Sequence, residues 1–128
     1  MSPIVCVDLN GVLDSYTGWR GPEHFDPPRA GAREFLESLA ARGFDIVVFT
    51  TRHPDGVWEW LERFGLRPLV RDVTDRKPPA HVFVDDRAVC FRGDFAQTLR
   101  AIDTFAAHWE VPSACDVGSD APEPLGFA

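Results

Sequence analysis

Three times in the first 86 residues a short, largely apolar run stops at a hydroxyl or an acid. Ile4–Val7 ends at Asp8, Phe44–Phe49 at Thr50, and His81–Val84 at the pair Asp85 and Asp86. Apolar runs of this length without polar alternation read as strands buried on both faces, which is the environment of a parallel sheet. Between them the spacing turns helical. Ala32, Phe35, Leu36, Leu39 and Ala40 share a stripe between Pro28 and Gly43, and Val57, Trp58, Leu61 and Phe64 share one between Pro54 and Gly65, with Trp60 off it. A shorter strand is expected at Leu69–Val73 and a last one at Val89–Phe91. Asp94 and Gln97 then open a helix aligning Phe95, Leu99, Ile102, Phe105 and Trp109. Strand and helix alternation predicts an α/β fold: a three-layer α/β/α sandwich on a mostly parallel, five-stranded Rossmann-like sheet with right-handed crossovers.

The 128 residues suit one core domain, assigned to 1–110, followed by a Pro-, Gly- and acid-rich stretch, 111–128, without periodicity and expected to be disordered or draped. Thirteen basic against 20 acidic residues give a net charge of −7, which argues against broad attraction to nucleic acid or anionic membrane. Three cysteines, Cys6, Cys90 and Cys115, stand at no metal-ligand or redox spacing, and their odd number suits a reducing compartment, so a cytoplasmic location is expected. Asp8 interrupts the first apolar run, and no stretch approaches the roughly 20 apolar residues of a membrane span.

In an open parallel sheet ligands bind beyond the carboxyl ends of the strands. Asp8, Thr50 with Thr51 and Arg52, and Asp85/Asp86 all fall there, while Lys77 sits before the rigid Pro78-Pro79 pair. Asn10 and Gly11 follow Asp8, with Gly11 freeing backbone N–H groups to face an anion. An Asx turn capping the strand would explain Asp8 alone; taken jointly, a carboxylate nucleophile, a hydroxyl, an ammonium and an acidic pair are what phosphoryl transfer through an aspartyl phosphate with Mg²⁺ needs. The stretch Asp14–Pro28 holds Tyr16, Trp19, Arg20, His24 and Phe25, a flap over the site or a loop pinned to the core.

In this order the segments resemble the haloacid dehalogenase superfamily. Its first motif, an apolar strand followed by D-x-D-x-[TV], corresponds to Asp8, Leu9, Asn10, Gly11 and Val12; Thr50 stands for the second motif, Lys77 for the third, and Asp85 with Asp86 for the fourth. The match spans Ile4 to Asp86. The resemblance implies a hydrolase of the phosphatase class in which Asp8 attacks phosphorus, Thr50 and Lys77 bind phosphoryl oxygens, and Mg²⁺ is held by Asp8, the Asn10 carbonyl and Asp85 or Asp86. A receiver domain uses similar residues, but there the acidic pair precedes and the Lys comes last, so chain order rejects it.

Asn10 departs from the family pattern, which has at this position a second Asp that protonates the leaving group and later activates water. An amide does neither. Its expected cost is about 10²–10⁴-fold where the leaving group needs a proton. The alternative reading is therefore a catalytically weak or inactive member that binds metal, phosphate or a partner. Only 36 residues separate Leu13 from Thr50, leaving no room for a cap domain, and an open site suits a large phosphorylated substrate or a partner that completes the lid. Gly11, Thr51, Arg52, Tyr16, Trp19 and Arg87 are the candidate substrate-binding residues, with Arg20 and His53 beside them. Oligomeric state is not legible.

Overall fold

The computed structural model describes residues 2–110. The chain forms two compact units, Met1–Asp85 and Asp86–Ala128; the expected tail, 111–128, and Cys115 lie outside the described residues.

The first unit is built on β1 (Ile4–Asp8), α1 (Ala32–Ala41), β2 (Asp45–Phe49), α2 (Pro54–Arg63), β3 (Asp72–Thr74) and β4 (Val82–Val84). Its sheet runs β3-β2-β1-β4 with every pairing parallel. The two central strands are the ones whose apolar runs are longest. Val5, Cys6 and Val7 on β1 and Ile46, Val47 and Val48 on β2 are all buried, as strands covered on both faces must be. Right-handed crossovers put α1 and α2 on one face of the sheet. Leu36 from α1 and Val57 and Leu61 from α2 are fully buried in the core that β1 and β2 share.

Three details differ from the sequence reading. The sheet has four strands, not five: Val89–Phe91 forms no strand, and Gly93, at φ 93°, with the capping residue Asp94 turns the chain directly into the next helix. The expected strand Leu69–Val73 is split. Pro68 opens a single helical turn at Arg67–Leu69, Val70 N donates to Arg67 O at 3.1 Å, and pairing with β2 begins only where Arg71 N reaches Ile46 O at 2.8 Å. On α2, Trp60 is 3 % exposed, whereas Trp58 is half-buried and Phe64 exposed. Trp60 belongs to the buried core cluster with Val57 and Leu61, and its indole N–H donates to Asp26 O at 2.8 Å, pinning the loop after β1.

In the second unit Asp94 caps α3 (Phe95–Asp103), its carboxylate accepting from Ala96 N at 2.9 Å and Gln97 N at 3.2 Å. Phe95, Leu99 and Ile102 align as expected but are exposed. No helix among the described residues is long and apolar enough to cross a membrane.

Candidate active site at the strand ends

The strand order places a reversal of direction at β1: the chain steps outward to β2 and β3, then returns to the other side of β1 as β4. Ligand crevices form at such a reversal, beyond the carboxyl ends of the strands. Val7 pairs with Val84, so Asp8 and Asp85 end neighbouring strands at one level, and each offers a carboxylate oxygen within 4.8 Å of the other. Both acids reach the buried Cys6 thiol electrostatically. Burial first, then Asp8 and Asp85, pushes that thiol up to about 11, so it stays protonated and unreactive at neutral pH.

After Asp8 the chain makes a wide turn, Leu9–Leu13, closed by Asp14 N donating to Leu9 O at 3.1 Å. Leu9 and Leu13 are buried and anchor it on either side. Gly11 is needed in the middle, at φ 92°, a backbone conformation that side chains with a Cβ resist. The turn closes around Asp14, which is 1 % exposed. Its carboxylate accepts from Gly11 N at 2.9 Å and from Asn10 Nδ2 at 2.6 Å. The other end of the Asn10 amide, Oδ1, accepts from Arg52 Nε at 3.2 Å. Reversing the amide would set oxygen against carboxylate and N–H₂ against guanidinium, so its orientation is fixed by both neighbours. Burial raises the Asp14 carboxyl above the usual range, partly offset by its hydrogen bonds from Gly11 and Asn10 and by the Arg52 charge.

Thr50 and Arg52 leave β2 beside this turn. Thr50 is 2 % exposed, its N–H donates to Thr74 O at 2.9 Å, and its Oγ1 accepts from Arg52 N at 2.9 Å. A hydroxyl that accepts in this way keeps its proton to donate. Thr51, between them, points outward and is exposed.

Arg52 is 8 % exposed. Its guanidinium lies between two rings, 4.3 Å from the centroid of Phe25 and 5.0 Å from that of Trp19, and Nη1 donates to Pro22 O at 3.2 Å. The loop after β1 is thus pinned, which decides between the two readings of its aromatics. Asp26 organises it from within. Burial would raise this carboxyl, but hydrogen bonds from His24 and Thr17 outweigh burial and hold it below the usual range. Phe25 also explains a glycine inside α2, since a Cβ at Gly56 would lie 3.2 Å from the Phe25 ring. A cleft of about 630 Å³ opens between this loop and α2, lined by His24, Phe25, His53 and Arg63 among others. His53 caps α2, accepting from Asp55 N at 3.2 Å.

The structure does not bring every candidate to one point. Lys77 is exposed, and its ammonium sits 4.9 Å from the Phe83 ring centroid, a ring that pairs at the level of Cys6 rather than of Asp8. Tyr16 is half-buried, and Trp19 is 61 % exposed. Asp86 and Arg87 begin the second unit, where both meet Trp109: its indole N–H donates to the Asp86 carboxylate, and the Arg87 guanidinium lies 5.9 Å from its ring centroid. Asp14, Asp26 and Trp60 were not singled out as site residues by sequence. The available signal for Asp14 was its place four residues after Asn10 in an Asn-Gly turn.

No protein-family model matches this chain, and no curated protein matches it. Among solved structures it is similar to a conserved protein from Bacteroides thetaiotaomicron, at 20 % identity and a TM-score of 0.55, over 88 % of this chain and 98 % of that one. The likeness supports the α/β fold with its parallel sheet and helices.

Proposed function

We propose that this protein is a Mg²⁺-dependent phosphoryl-transfer enzyme of the phosphatase type, related to the haloacid dehalogenase superfamily, with Asp8 as nucleophile. The observation that carries the reading is the convergence of Asp8 and Asp85 within 4.8 Å at the ends of adjacent parallel strands, where the chain reverses direction. Two facing carboxylates repel unless a cation or proton lies between them, and carboxylate oxygens are the donors that Mg²⁺ takes. Asp8, the Asn10 carbonyl and Asp85 are the residues to hold it. When bound, the ion would neutralise charge on the phosphoryl group.

A carboxylate oxygen of Asp8 attacks phosphorus, the bond to the leaving oxygen breaks, and an acyl phosphate remains on Asp8. In this reading the Thr50 hydroxyl donates its proton to a phosphoryl oxygen, and Lys77 supplies a second cation once it leaves Phe83. Water then cleaves the acyl phosphate to inorganic phosphate. Asn10 takes no part in proton transfer: its amide is committed to Asp14 and Arg52. Leaving groups that depart as anions, in aryl and acyl phosphates, are therefore favoured, and alkyl phosphates are slower by about 10²–10⁴-fold.

Incubation with acetyl phosphate and Mg²⁺ should add the mass of one phosphoryl group, which Asp8→Asn abolishes. Absence of both adduct and turnover with aryl phosphates would replace this reading with the binding-module alternative, which Asn10 and the resting place of Lys77 favour.

A further inference from the structure

We infer that Arg52 is a built receptor for an anionic group of the substrate, and that the substrate is a phosphomonoester whose leaving group carries a second anion, a carboxylate or a further phosphate. The choice of phosphomonoester rests on the phosphoryl-transfer reading; the receptor itself does not.

Arg52 is 8 % exposed, yet none of the ion pairs among the described residues includes it. Its contacts are an amide oxygen, a backbone carbonyl and two ring faces. Two ring faces return only part of what stripping water from a cation costs, and a guanidinium so placed calls for an anion. Asp14 does not meet that need. It feels the Arg52 charge through space, but its two oxygens are occupied by Asn10 and Gly11.

The guanidinium is also held open at one corner. Nε and Nη1 are committed, and Nη2 makes no hydrogen bond within the described residues. No fully buried side-chain nitrogen or oxygen among those residues lacks a partner, so Nη2 retains access to solvent. Phe25, seated on Gly56, and Asn10, seated on Asp14, fix the plane of the fork from two sides. A rigid, desolvated cation with one accessible N–H₂ corner is suited to a planar or tetrahedral oxyanion. Its place is also apt: its own N–H orients Thr50, and its Nε meets Asn10, two residues after the nucleophile. The transferred phosphoryl group already has Thr50, Lys77 and the proposed ion, which leaves Arg52 for a second anion on the same molecule.

The test compares 4-carboxyphenyl phosphate with its neutral 4-carboxamide isostere, in wild type and in Arg52→Lys, with circular dichroism confirming the fold of the variant. Binding is read from the fluorescence of Trp19, which stacks on Arg52, with Trp19→Phe assigning the signal; turnover is read from released phosphate. Wild type should prefer the carboxylate by roughly 10- to 100-fold in binding, the scale of a charge-assisted hydrogen bond, and in kcat/KM when turnover is present. Arg52→Lys should lose most of that preference, and comparing the two ratios cancels any difference in leaving-group quality. Preferential binding without turnover would sustain the receptor while overturning phosphoryl transfer. Equal binding of the two compounds by wild type, with turnover of both, would overturn the receptor and leave phosphoryl transfer standing. A preference that survives Arg52→Lys unchanged would likewise overturn it. Repeating the pair with a 4-phosphonophenyl analogue distinguishes a carboxylate from a phosphate as the second anion.

Discussion

The two sides of the Asp8 strand end are built in opposite ways. On the β2 side, Asp14, Thr50 and Arg52 are each less than a tenth exposed, and Asn10 is bonded at both ends of its amide. On the β4 side, Asp85 is exposed, Val82 and Phe83 are 44 % and 40 % exposed, and Lys77 rests on a ring rather than on an acid. One half of the site is thus organised by packing before any ligand arrives. The other half is an edge strand leading to one exposed carboxylate, Asp85, whose geometry a cation would tighten. Under the proposed function, the preorganised half would favour a transition state at little cost in reorganisation, whereas the ligand-ordered half would tie activity to metal concentration.

Removing the keystone of the packed side should have the largest effect on stability. Asp14→Ala leaves the Gly11 N–H and the Asn10 amide without their acceptor in a buried turn, and a loss of about 2–4 kcal/mol is expected. Lys77→Ala, on the open side, should stay within about 0.5 kcal/mol. Urea unfolding midpoints compare them, and equal losses would erase the distinction between the two sides. The same acid gives a pH signature. Because the folded-state pKa of Asp14 is raised, its contribution to stability is present at low pH and lost as pH rises through that value. Asp26, held below the usual range, does the reverse: its contribution is present above about 3.8 and lost as pH falls through its folded value. The two oppose each other in the acid range. Asp14→Asn removes one of them, so its melting temperature should fall more steeply than that of wild type between pH 6 and pH 3.

Asn10→Asp sharpens the contrast. At 2.6 Å from an Asp14 oxygen, a carboxylate in place of Nδ2 would share one proton with Asp14, and the pair would titrate as a unit. Stability should match wild type in mild acid and fall by about 1–2 kcal/mol as pH rises past neutrality, because the second proton leaves two adjacent charges. Within the range where the pair keeps its proton, hydrolysis of the Asp8 acyl phosphate should quicken and the phosphoenzyme cease to accumulate. Flat stability across pH 5–9 would show that the turn relaxes and that Asn10 is not locked.

The strand ends were legible because each terminates an apolar run, so Asp8, Thr50 and Asp85 could be named from local pattern. What joins them was less so. Asn10 and Arg52 are 42 residues apart along the chain, and nothing local to either announces the hydrogen bond between them. Trp60 was set aside although it stands three residues after Val57 and four before Phe64, a spacing that puts it on their side of the helix, and it joins the buried core while its indole donates to a loop carbonyl. Asp14 and Asp26 read as ordinary loop acids until the loop closes on them. For β4, a run of apolar residues gave no means of telling an edge strand from a central one; Val82 and Phe83 carry the same pattern as the buried residues of β1.

The smallest expected effect tests the open side directly. Mg²⁺ at a few times its dissociation constant should stabilise the folded protein by about 0.8–1 kcal/mol, a rise of roughly 3–6 °C in melting temperature for a domain of this size. The gain should come from a cation shared by Asp8 and Asp85, so Asp85→Asn should remove most of the response to it. Asp86→Asn is the informative control. Asp86 already accepts the Trp109 indole N–H, so its loss should lower stability without metal while preserving the Mg²⁺-dependent increment. Melting curves at 0, 1 and 10 mM Mg²⁺, with Ca²⁺ for comparison, separate these outcomes. If wild type showed no increment, the carboxylates would be held apart by the fold alone, and the open side would be as rigid as the packed one. If Asp14→Asn abolished the increment as fully as Asp85→Asn, the two sides would be coupled through the Leu9–Leu13 turn, and the division between a prebuilt and a ligand-ordered half would fail.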